Sequence, residues 1–168
     1  MLYLIGFMGV GKTTIGEELA LQHNLNFIDT DKEIEKTTNN SIIDIFQKNG
    51  EIYFRKLETT TLKMIPKSSV VACGGGLPVY NNNMNFIKKS GVSIYLKACE
   101  EEIFNRLSKS SENRPLIQNK SDKDLRSFIK ETLAKREKFY AMADYTIDTN
   151  NLSEKEVLGK INSLLFTI

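Results

Sequence analysis

The segment GFMGVGKTT, residues 6–14, carries residue types that proteins use to hold phosphate groups. The pattern G-x-x-x-x-G-K-[ST] is satisfied by Gly6, Gly11, Lys12 and Thr13. In such a loop the backbone N–H groups turn toward phosphate oxygens, a lysine reaches the terminal phosphates, and a threonine hydroxyl binds the Mg²⁺ that bridges them. The pattern therefore predicts a phosphate site at Lys12 and Thr13. The alternative is a glycine turn that only joins a strand to a helix.

Two carboxylates, Asp29 and Asp31, follow the apolar residues Phe27 and Ile28. Ligands of open parallel sheets bind at the carboxyl ends of the strands, so both side chains are expected near the phosphate loop. One carboxylate would then support Mg²⁺, directly or through water, and the other would accept the proton of an attacking substrate hydroxyl. The alternative is structural, because Asp31 precedes the segment KEIEK and suits the N-cap of a helix.

Arginine is used sparingly, with five residues against eighteen lysines. Apolar residues recur at helical spacing in the segment 125–140, and Arg136 falls on that apolar face. A guanidinium on a buried face requires an anion, which a bound ligand would supply. The alternatives are an arginine that extends its charge to solvent and a structural ion pair.

The remaining arginines differ in their surroundings. Arg55 lies three residues before Glu58 on a predicted helix, a spacing at which the two side chains contact each other. Because Glu58 also falls on an apolar face, we expect it to orient Arg55 toward an anionic ligand, and a plain surface salt bridge is the alternative. Arg106 and Arg114 flank or lie within a polar loop, from which an arginine reaches a transferring phosphate when the loop closes. Solvation is the alternative for both, and Arg126 is expected at the surface.

Three glycines, Gly74, Gly75 and Gly76, follow the apolar run 70–73. Without side chains, such a run lets the backbone approach a ligand closely and offers its N–H groups as donors. Its place at the same sheet edge as the phosphate loop favours a ligand pocket over a flexible turn. Cys73 is expected in the core and His23 at a helix end, and phosphoryl transfer to a hydroxyl needs neither as a nucleophile.

Short apolar runs alternate with longer segments of helical pattern. This alternation predicts an α/β fold, with a parallel sheet covered by helices on both faces. At 168 residues the chain fits a single domain, residues 1–168. The polar segment SKSSENRPLIQNKSD, at about residues 108–122, is expected to be a mobile lid, with an ordinary surface connection as the alternative. The predicted strands are residues 2–5, 26–28, 70–73, 92–96 and 145–147.

The composition is that of an ordinary globular protein, with 40% hydrophobic and 26% charged residues. A net charge of +2, from 23 cationic and 21 anionic side chains, argues against broad binding to nucleic acid or to anionic membranes. Two cysteines without metal-like spacing favour a reducing cytoplasm. No run reaches the roughly 18 apolar residues that a membrane helix needs, and the N-terminal segment lacks the cationic start of a signal peptide.

A GTPase is one rival among proteins with a phosphate loop. Residues 119–122 spell N-K-S-D, which matches the guanine-reading pattern N-K-x-D, but they lie in the polar loop and do not follow a hydrophobic strand directly. The D-x-x-G element of GTPases occurs nowhere in the sequence. We therefore interpret residues 119–122 as loop, with Ser121 as a candidate cap of the next helix.

Taken in order, the segments GFMGVGKTT, FIDTD, GEIYFRKLE, CGGGLP, NRPL and KREKFY resemble the shikimate kinases across nearly the whole chain. The resemblance implies a monomeric, three-layer P-loop kinase fold of the nucleoside-monophosphate-kinase type, with a five-stranded parallel sheet flanked by helices. It also implies transfer of the γ-phosphate of MgATP to the 3-hydroxyl of shikimate, which gives shikimate 3-phosphate and ADP in aromatic amino-acid biosynthesis. Shikimate and ATP would be the partners, without nucleic acid or membrane, in the cytoplasm.

The same resemblance implies roles on the nucleotide side of the site. Lys12 would contact the transferring phosphate, Thr13 and Asp29 would hold Mg²⁺, and Arg114 in the lid would contact the ATP phosphates. The residues that hold ATP in the loop would be Gly9, Val10, Gly11, Lys12, Thr13 and Thr14.

On the acceptor side, the resemblance implies that Asp31 binds the shikimate hydroxyls and is the candidate base. Arg55 and Arg136 would grip the shikimate carboxylate. Asp31 would thus share the catalytic work with Lys12 and Arg114. The backbone that lines the substrate pocket would be that of Gly74, Gly75 and Gly76.

Three other functions remain open on the sequence. The nearest is another small-molecule or nucleotide kinase of the same fold, such as a gluconate kinase. A GTP-binding regulatory module belongs to a different class, and the missing D-x-x-G element argues against it. The third is a catalytically inactive protein that binds a nucleoside triphosphate and phosphorylates nothing.

Overall fold

The computed structural model describes residues 1–109, 117 and 120–165. In this part of the chain, five strands form one sheet in which every pairing is parallel, in the order β2, β3, β1, β4, β5. The predicted α/β fold with a five-stranded parallel sheet is confirmed. The strands are β1 (Leu2–Ile5), β2 (Asn26–Asp29), β3 (Ser69–Ala72), β4 (Val92–Lys97) and β5 (Tyr145–Asp148).

Helices connect the strands, as parallel pairing requires. A 3₁₀ turn, Leu77–Val79, follows β3. The α-helices of the described residues are α1 (Lys12–Gln22), α2 (Thr30–Thr38), α3 (Ile42–Met64), α4 (Asn83–Ser90), α5 (Glu100–Lys109), α6 (Asp122–Tyr140) and α7 (Glu154–Leu165).

The sheet is covered on both faces, which explains why β1 and β3 are buried at every position. Successive side chains of a strand point to opposite faces. Leu2 and Leu4 accordingly join a cluster with residues of α1, α5 and α7. Tyr3 and Ile5 join a second cluster, with residues of α3, α4 and the end of α6. The fold therefore has three layers, with the sheet in the middle.

Helix starts near the sheet edge are set by capping side chains. Asp29 is the N-cap of α2, where its Oδ1 accepts the backbone N–H groups of Asp31 at 3.0 Å and Lys32 at 3.3 Å. The alternative interpretation of Asp31 as the cap is therefore wrong, because Asp31 lies one residue inside the helix. Ser121 caps α6, as expected, and accepts the N–H of Asp124 at 3.2 Å.

The strand order brings the predicted site segments together. The chain runs from the central strand β1 to β2 on one side, whereas it runs from β3 across β1 to β4 on the other side, and ligands of parallel sheets bind where connections diverge in this way. The carboxyl ends of β1, β2 and β3 lie at one edge, so the loops that follow Ile5, Asp29 and Ala72 converge there. The predicted lid, residues 108–122, falls mostly outside the described residues. Within the described ranges, no helix is long and apolar enough to span a membrane.

Candidate active site

The phosphate loop joins β1 to α1, as its sequence pattern predicts. Gly6 and Gly9 have φ values of 143° and 81°, a region that L-residues with side chains rarely adopt. Each also lies against a neighbour, since a Cβ at Gly6 would stand 2.6 Å from the carbonyl oxygen of Leu96 and one at Gly9 would stand 2.8 Å from Leu107. The backbone of the loop is thus fixed in a shape that only glycine permits at these two positions.

Lys12 begins α1 and extends back over the loop. Its Nζ donates hydrogen bonds to the carbonyl oxygens of Gly6 at 3.0 Å and Phe7 at 2.7 Å. The side chain of Val10 is buried in the core, and Thr14 is exposed at the start of the helix. The cation therefore lies at the mouth of the loop, where a helix N-terminus also favours an anion.

Thr13 and Asp29 contact each other directly, with the threonine Oγ1 donating to Asp29 Oδ2 at 2.8 Å. The other carboxylate oxygen of Asp29 is engaged in capping α2. The structure therefore brings together a hydroxyl and a carboxylate oxygen beside the phosphate loop. Both are hard oxygen donors, and Mg²⁺ is held in such sites by one or two protein groups together with substrate phosphates and water. The donor set fits the expected ion.

Asp31 points toward the interior of the site. Its Oδ1 is buried and accepts no hydrogen bond from any described residue. Burial and the nearby charge of Asp29 raise the pKa of Asp31 to about 6, although Lys12 and Arg55 favour its ionised form. An unpaired buried acceptor is costly, and a pKa shifted by burial is typical of functional groups.

Arg55 is held by two carboxylates of its own helix. Its Nη1 donates to Glu58 at 2.8 Å, and its Nε and Nη2 donate to Glu51 at 3.1 and 2.8 Å. The predicted contact with Glu58 is present, and Glu58 is almost completely buried at 1% exposure. Burial raises the pKa of Glu58 to about 7, and the adjacent Arg55 opposes this shift. The Arg55 guanidinium also stacks on the ring of Tyr80, at 4.2 Å from its centroid.

Arg136 is buried, as the apolar face of its helix predicts, with 8% of its surface exposed. Its guanidinium lies 5.9 Å from the centroid of the Phe7 ring. Among the residues that the structure describes, no acidic side chain forms an ion pair with it. Within the described residues, Arg136 therefore forms no structural ion pair, and its charge does not extend to solvent.

The glycine turn, Gly74–Gly76, makes room for three of the predicted side chains. A Cβ at Gly74 would stand 3.0 Å from the Cγ of Asp31 and closer still to its Oδ1. A Cβ at Gly75 would stand 3.1 Å from Nη1 of Arg136, and one at Gly76 would stand 2.8 Å from Cζ of Arg55. Each glycine thus faces a different charged group, and the turn lies between all three.

These groups surround one cavity of about 120 Å³. Its lining combines the carboxylates of Asp31 and Glu58, two guanidinium groups and apolar side chains. Such a cavity is complementary to a small molecule that carries both hydroxyl groups and an anionic group. Arg114, the remaining predicted residue, lies outside the described residues. The charged and glycine residues that line the cavity are Asp31, Arg55, Glu58, Gly75, Gly76 and Arg136.

The structure also shows contacts to the site that the sequence did not predict. Arg106 donates to the carbonyl oxygens of Val10 at 3.3 Å and Thr149 at 3.0 Å, so it is bonded to the back of the phosphate loop. The prediction had Arg106 moving onto a phosphate, whereas in the structure its guanidinium bonds to these two carbonyl oxygens. Arg106 also pairs with Glu102, four residues earlier on α5, and this is its only contact for which the sequence contains a signal, namely the helical spacing of the two residues.

A phosphate loop between β1 and α1, with a carboxylate and two buried arginines at the same edge of a parallel sheet, defines a P-loop kinase. Comparisons with known proteins specify the family, because residues 8–165 match the family described as shikimate kinase. A shikimate kinase of Caldanaerobacter subterraneus subsp. tengcongensis is 43% identical over 160 residues, which are 94% of this chain and 91% of that protein.

Solved structures agree with this result. The crystal structure of shikimate kinase from Bacteroides thetaiotaomicron has a TM-score of 0.94 and 32% identity, and the match covers 99% of this chain and 98% of that chain. The shikimate kinase from Acinetobacter baumannii in complex with shikimate has a TM-score of 0.89 and 36% identity, over 98% of this chain and 91% of that one. The chain belongs to the shikimate kinase family.

Proposed function

We propose that this enzyme transfers the γ-phosphate of MgATP to the 3-hydroxyl of shikimate and releases shikimate 3-phosphate and ADP. As a member of the shikimate kinase family, it is an ATP-dependent kinase that phosphorylates a hydroxyl of shikimate. The observation that carries the finer assignment is the composition of the cavity. Asp31, whose Oδ1 has no hydrogen-bond partner among the described residues, lines the acceptor cavity together with the buried guanidinium group of Arg136.

On the nucleotide side, Gly9, Gly11 and the following turn of α1 bind the phosphates through backbone N–H groups. Lys12 exchanges its bonds to loop carbonyls for the transferring phosphate. Thr13 and Asp29 would hold Mg²⁺, which when bound would neutralise charge on the phosphate oxygens. Arg114 contacts the ATP phosphates from the lid. Positioning and charge neutralisation supply most of the rate in this kind of transfer.

On the acceptor side, Asp31 receives the hydrogen bond of the attacking hydroxyl and takes its proton during the transfer. A base with a pKa of about 6 is ionised at neutral pH, so it is ready to accept a proton. Arg136 and Arg55 bind the carboxylate at the other end of shikimate. Because Glu51 and Glu58 already hold Arg55, this guanidinium is fixed before the substrate arrives.

The oligomeric state, location and partners of the enzyme are proposed from the family resemblance. We assign a monomer that acts in the cytoplasm on two small molecules, with no nucleic acid partner. The single domain spans residues 1–168, and the expected lid, at about 108–122, lies mostly outside the described residues. Sedimentation velocity of the purified protein gives its mass in solution and thereby tests whether it is a monomer.

The test of the proposed reaction is a substrate panel in a coupled assay of ADP release. Shikimate, gluconate and nucleoside monophosphates are each offered with MgATP, and shikimate is expected to give the only high kcat/KM. Turnover of gluconate or of a nucleotide, with shikimate inert, would assign the other kinase. Nucleotide binding without turnover on the panel would indicate an inactive protein, and a preference for GTP over ATP would indicate a regulatory module.

A further inference from the structure

The glycine turn, Gly74–Gly76, is held on both sides by hydroxyl groups from distant parts of the chain. The N–H of Gly74 donates to Oγ1 of Thr30 at 2.8 Å. The hydroxyl of Tyr140 donates to the carbonyl oxygen of Gly75 at 2.6 Å. Both side chains are completely buried, at 0% exposure. The turn is therefore attached to the start of α2 and to the end of α6.

Each of these two hydroxyl groups lies next to a charged group of the cavity. Thr30 immediately precedes Asp31. Tyr140 lies four residues after Arg136 in α6, so the two side chains share one face of that helix. The turn thus bridges the element that presents the carboxylate and the element that presents the guanidinium. Its middle residue, Gly75, faces Arg136, and its first residue, Gly74, faces Asp31.

We propose that Thr30 and Tyr140 are positioning residues, which fix the separation of Asp31 and Arg136 through their hydrogen bonds to the glycine turn. This inference rests on the proposed function, in which Asp31 bonds the reacting hydroxyl and Arg136 binds the carboxylate of the same substrate molecule. Neither hydroxyl needs to touch the substrate. A shift of about 1 Å in one of the two groups is enough to lower the rate about a hundredfold, because the substrate spans both.

The hydroxyl groups are separable from the packing of these side chains. The Tyr140 ring packs against Tyr95 at a centroid distance of 5.2 Å, and phenylalanine retains that contact. Valine matches the shape of threonine without its hydroxyl, whereas serine retains the hydroxyl. The variants Tyr140→Phe and Thr30→Val therefore remove one hydrogen bond each from the turn, and Thr30→Ser restores the bond to Gly74.

A matched control removes a hydroxyl of the same kind far from the turn. Tyr3 is also fully buried, and its hydroxyl bonds to Ser90 at 2.8 Å, where α4 ends near the amino end of the sheet. The variant Tyr3→Phe thus deletes a buried tyrosine hydroxyl with its one strong partner. A loss of stability from deleting a buried hydroxyl is expected in both tyrosine variants, whereas a change at the site is expected only in Tyr140→Phe.

The experiment measures steady-state kinetics of the full chain with shikimate and MgATP, beside thermal melting of each variant. We expect Tyr140→Phe and Thr30→Val each to raise KM for shikimate and to lower kcat about tenfold. KM for ATP is expected to stay within about twofold, and Thr30→Ser and Tyr3→Phe to match the parent enzyme in both kinetic constants.

Other results would overturn the proposal. Melting temperatures that fall while both shikimate constants stay at the parent values would give the hydroxyl groups a purely structural role. Equal losses of activity in Thr30→Ser and Thr30→Val would show that the hydroxyl of Thr30 is not responsible. If only one of the residues Thr30 and Tyr140 affects the shikimate constants, the other is removed from the proposal. If the parent enzyme itself leaves shikimate unphosphorylated, the proposed function fails, which is a distinct result from unchanged variants of an active enzyme.

Discussion

The position of Asp31 can be tested without changing Asp31 itself, through the substitution Gly74→Ala. Gly74 has no positive φ, so its backbone accepts alanine. The new Cβ would stand 3.0 Å from Cγ of Asp31 and 3.1 Å from Oδ2, and closer to Oδ1. Because the carboxyl carbon itself is too close, rotation of the carboxylate about its own axis does not relieve the contact. The carboxylate has to retreat from the glycine turn.

The size of this retreat sets the expected loss of activity. Ordinary van der Waals contacts of a Cβ begin near 3.4 Å, so relief of the Oδ1 contact moves the carboxylate by on the order of 1 Å. A misplacement of this size costs about a hundredfold in rate when the group must meet the reacting hydroxyl. That factor corresponds to about 2.7 kcal/mol of transition-state free energy. We therefore expect kcat to fall about a hundredfold while the affinity for ATP is retained.

Gly75→Ala is the matched control within the same turn. Its Cβ would stand 3.1 Å from Nη1 of Arg136, the end of a long side chain that yields by a few tenths of an ångström. The expected loss in kcat is less than about tenfold. Both variants are assayed for ADP release at saturating MgATP and shikimate, with nucleotide affinity measured by calorimetry. A folded Gly74→Ala enzyme with kcat within about threefold of the parent would refute the placement of Asp31 at the reacting hydroxyl.

Three further predictions concern substitutions of Asp31, Arg136 and Thr13. Asp31→Asn is expected to lower kcat about a thousandfold with ATP affinity retained, and a loss of ATP binding would instead assign Asp31 to the metal or the fold. The raised pKa means that the folded protein binds a proton at Asp31 more tightly than the unfolded chain, so stability is lost as pH rises through about 6. Thermal melting at pH 8 should therefore show Asp31→Asn to be more stable than the parent, and kcat/KM of the parent should fall below about pH 6. Arg136→Lys should raise KM for shikimate about tenfold or more, because an ammonium lacks the planar fork that holds a carboxylate; unchanged KM and kcat would remove Arg136 from the substrate. Thr13→Val should raise the Mg²⁺ concentration needed for half-maximal activity about 10- to 100-fold in a magnesium titration, whereas an unchanged requirement would place the ion elsewhere.

The parts of the site that could be predicted are those that local pattern determines. The phosphate loop needs glycines, a lysine and a hydroxyl at fixed spacing, so its sequence is diagnostic. Arg136 was recognisable because a cation interrupts an apolar helical face, and burial follows from that face. Asp29 and Asp31 are predictable at the sheet edge because they follow the apolar residues of a strand, of which Asp29 is the last residue. In each case one short segment contains the whole signal.

The contacts that could not be predicted join residues far apart in the chain. Thr30 bonds to Gly74, 44 residues away, and Tyr140 bonds to Gly75, 65 residues away. Arg106 reaches Val10 across 96 residues. No periodicity or motif records such pairs, because they depend on which strands become neighbours. A tyrosine in an apolar pattern is predicted to be a core residue, and the sequence does not indicate the partner of its hydroxyl.

Strand ends differ from the predicted bounds for a related reason. The prediction began the third strand at Val70, the first apolar residue, but β3 begins at Ser69, which pairs with Asn26 of β2. Likewise, β2 and β5 continue to Asp29 and Asp148, which pair with Ala72 and Lys97. Polar residues at strand ends take part in backbone pairing without contributing apolar side chains. Hydrophobic pattern therefore misses polar residues at either end of a strand, and it also extended the third strand to Cys73, whereas β3 ends at Ala72.

The Oδ1 of Asp31, which has no partner among the described residues, has a consequence for the molecules that the proposed acceptor cavity would reject. A polyol hydroxyl that donates to this oxygen satisfies it, whereas an analogue with hydrogen in place of that hydroxyl leaves a buried acceptor without a partner. Sites built to bond a hydroxyl discriminate against such analogues by about 10⁴- to 10⁵-fold, far more than apolar walls discriminate against a missing methylene. If Asp31 bonds the acceptor hydroxyl as proposed, selectivity for a hydroxylated acceptor follows from one carboxylate oxygen that no described residue satisfies.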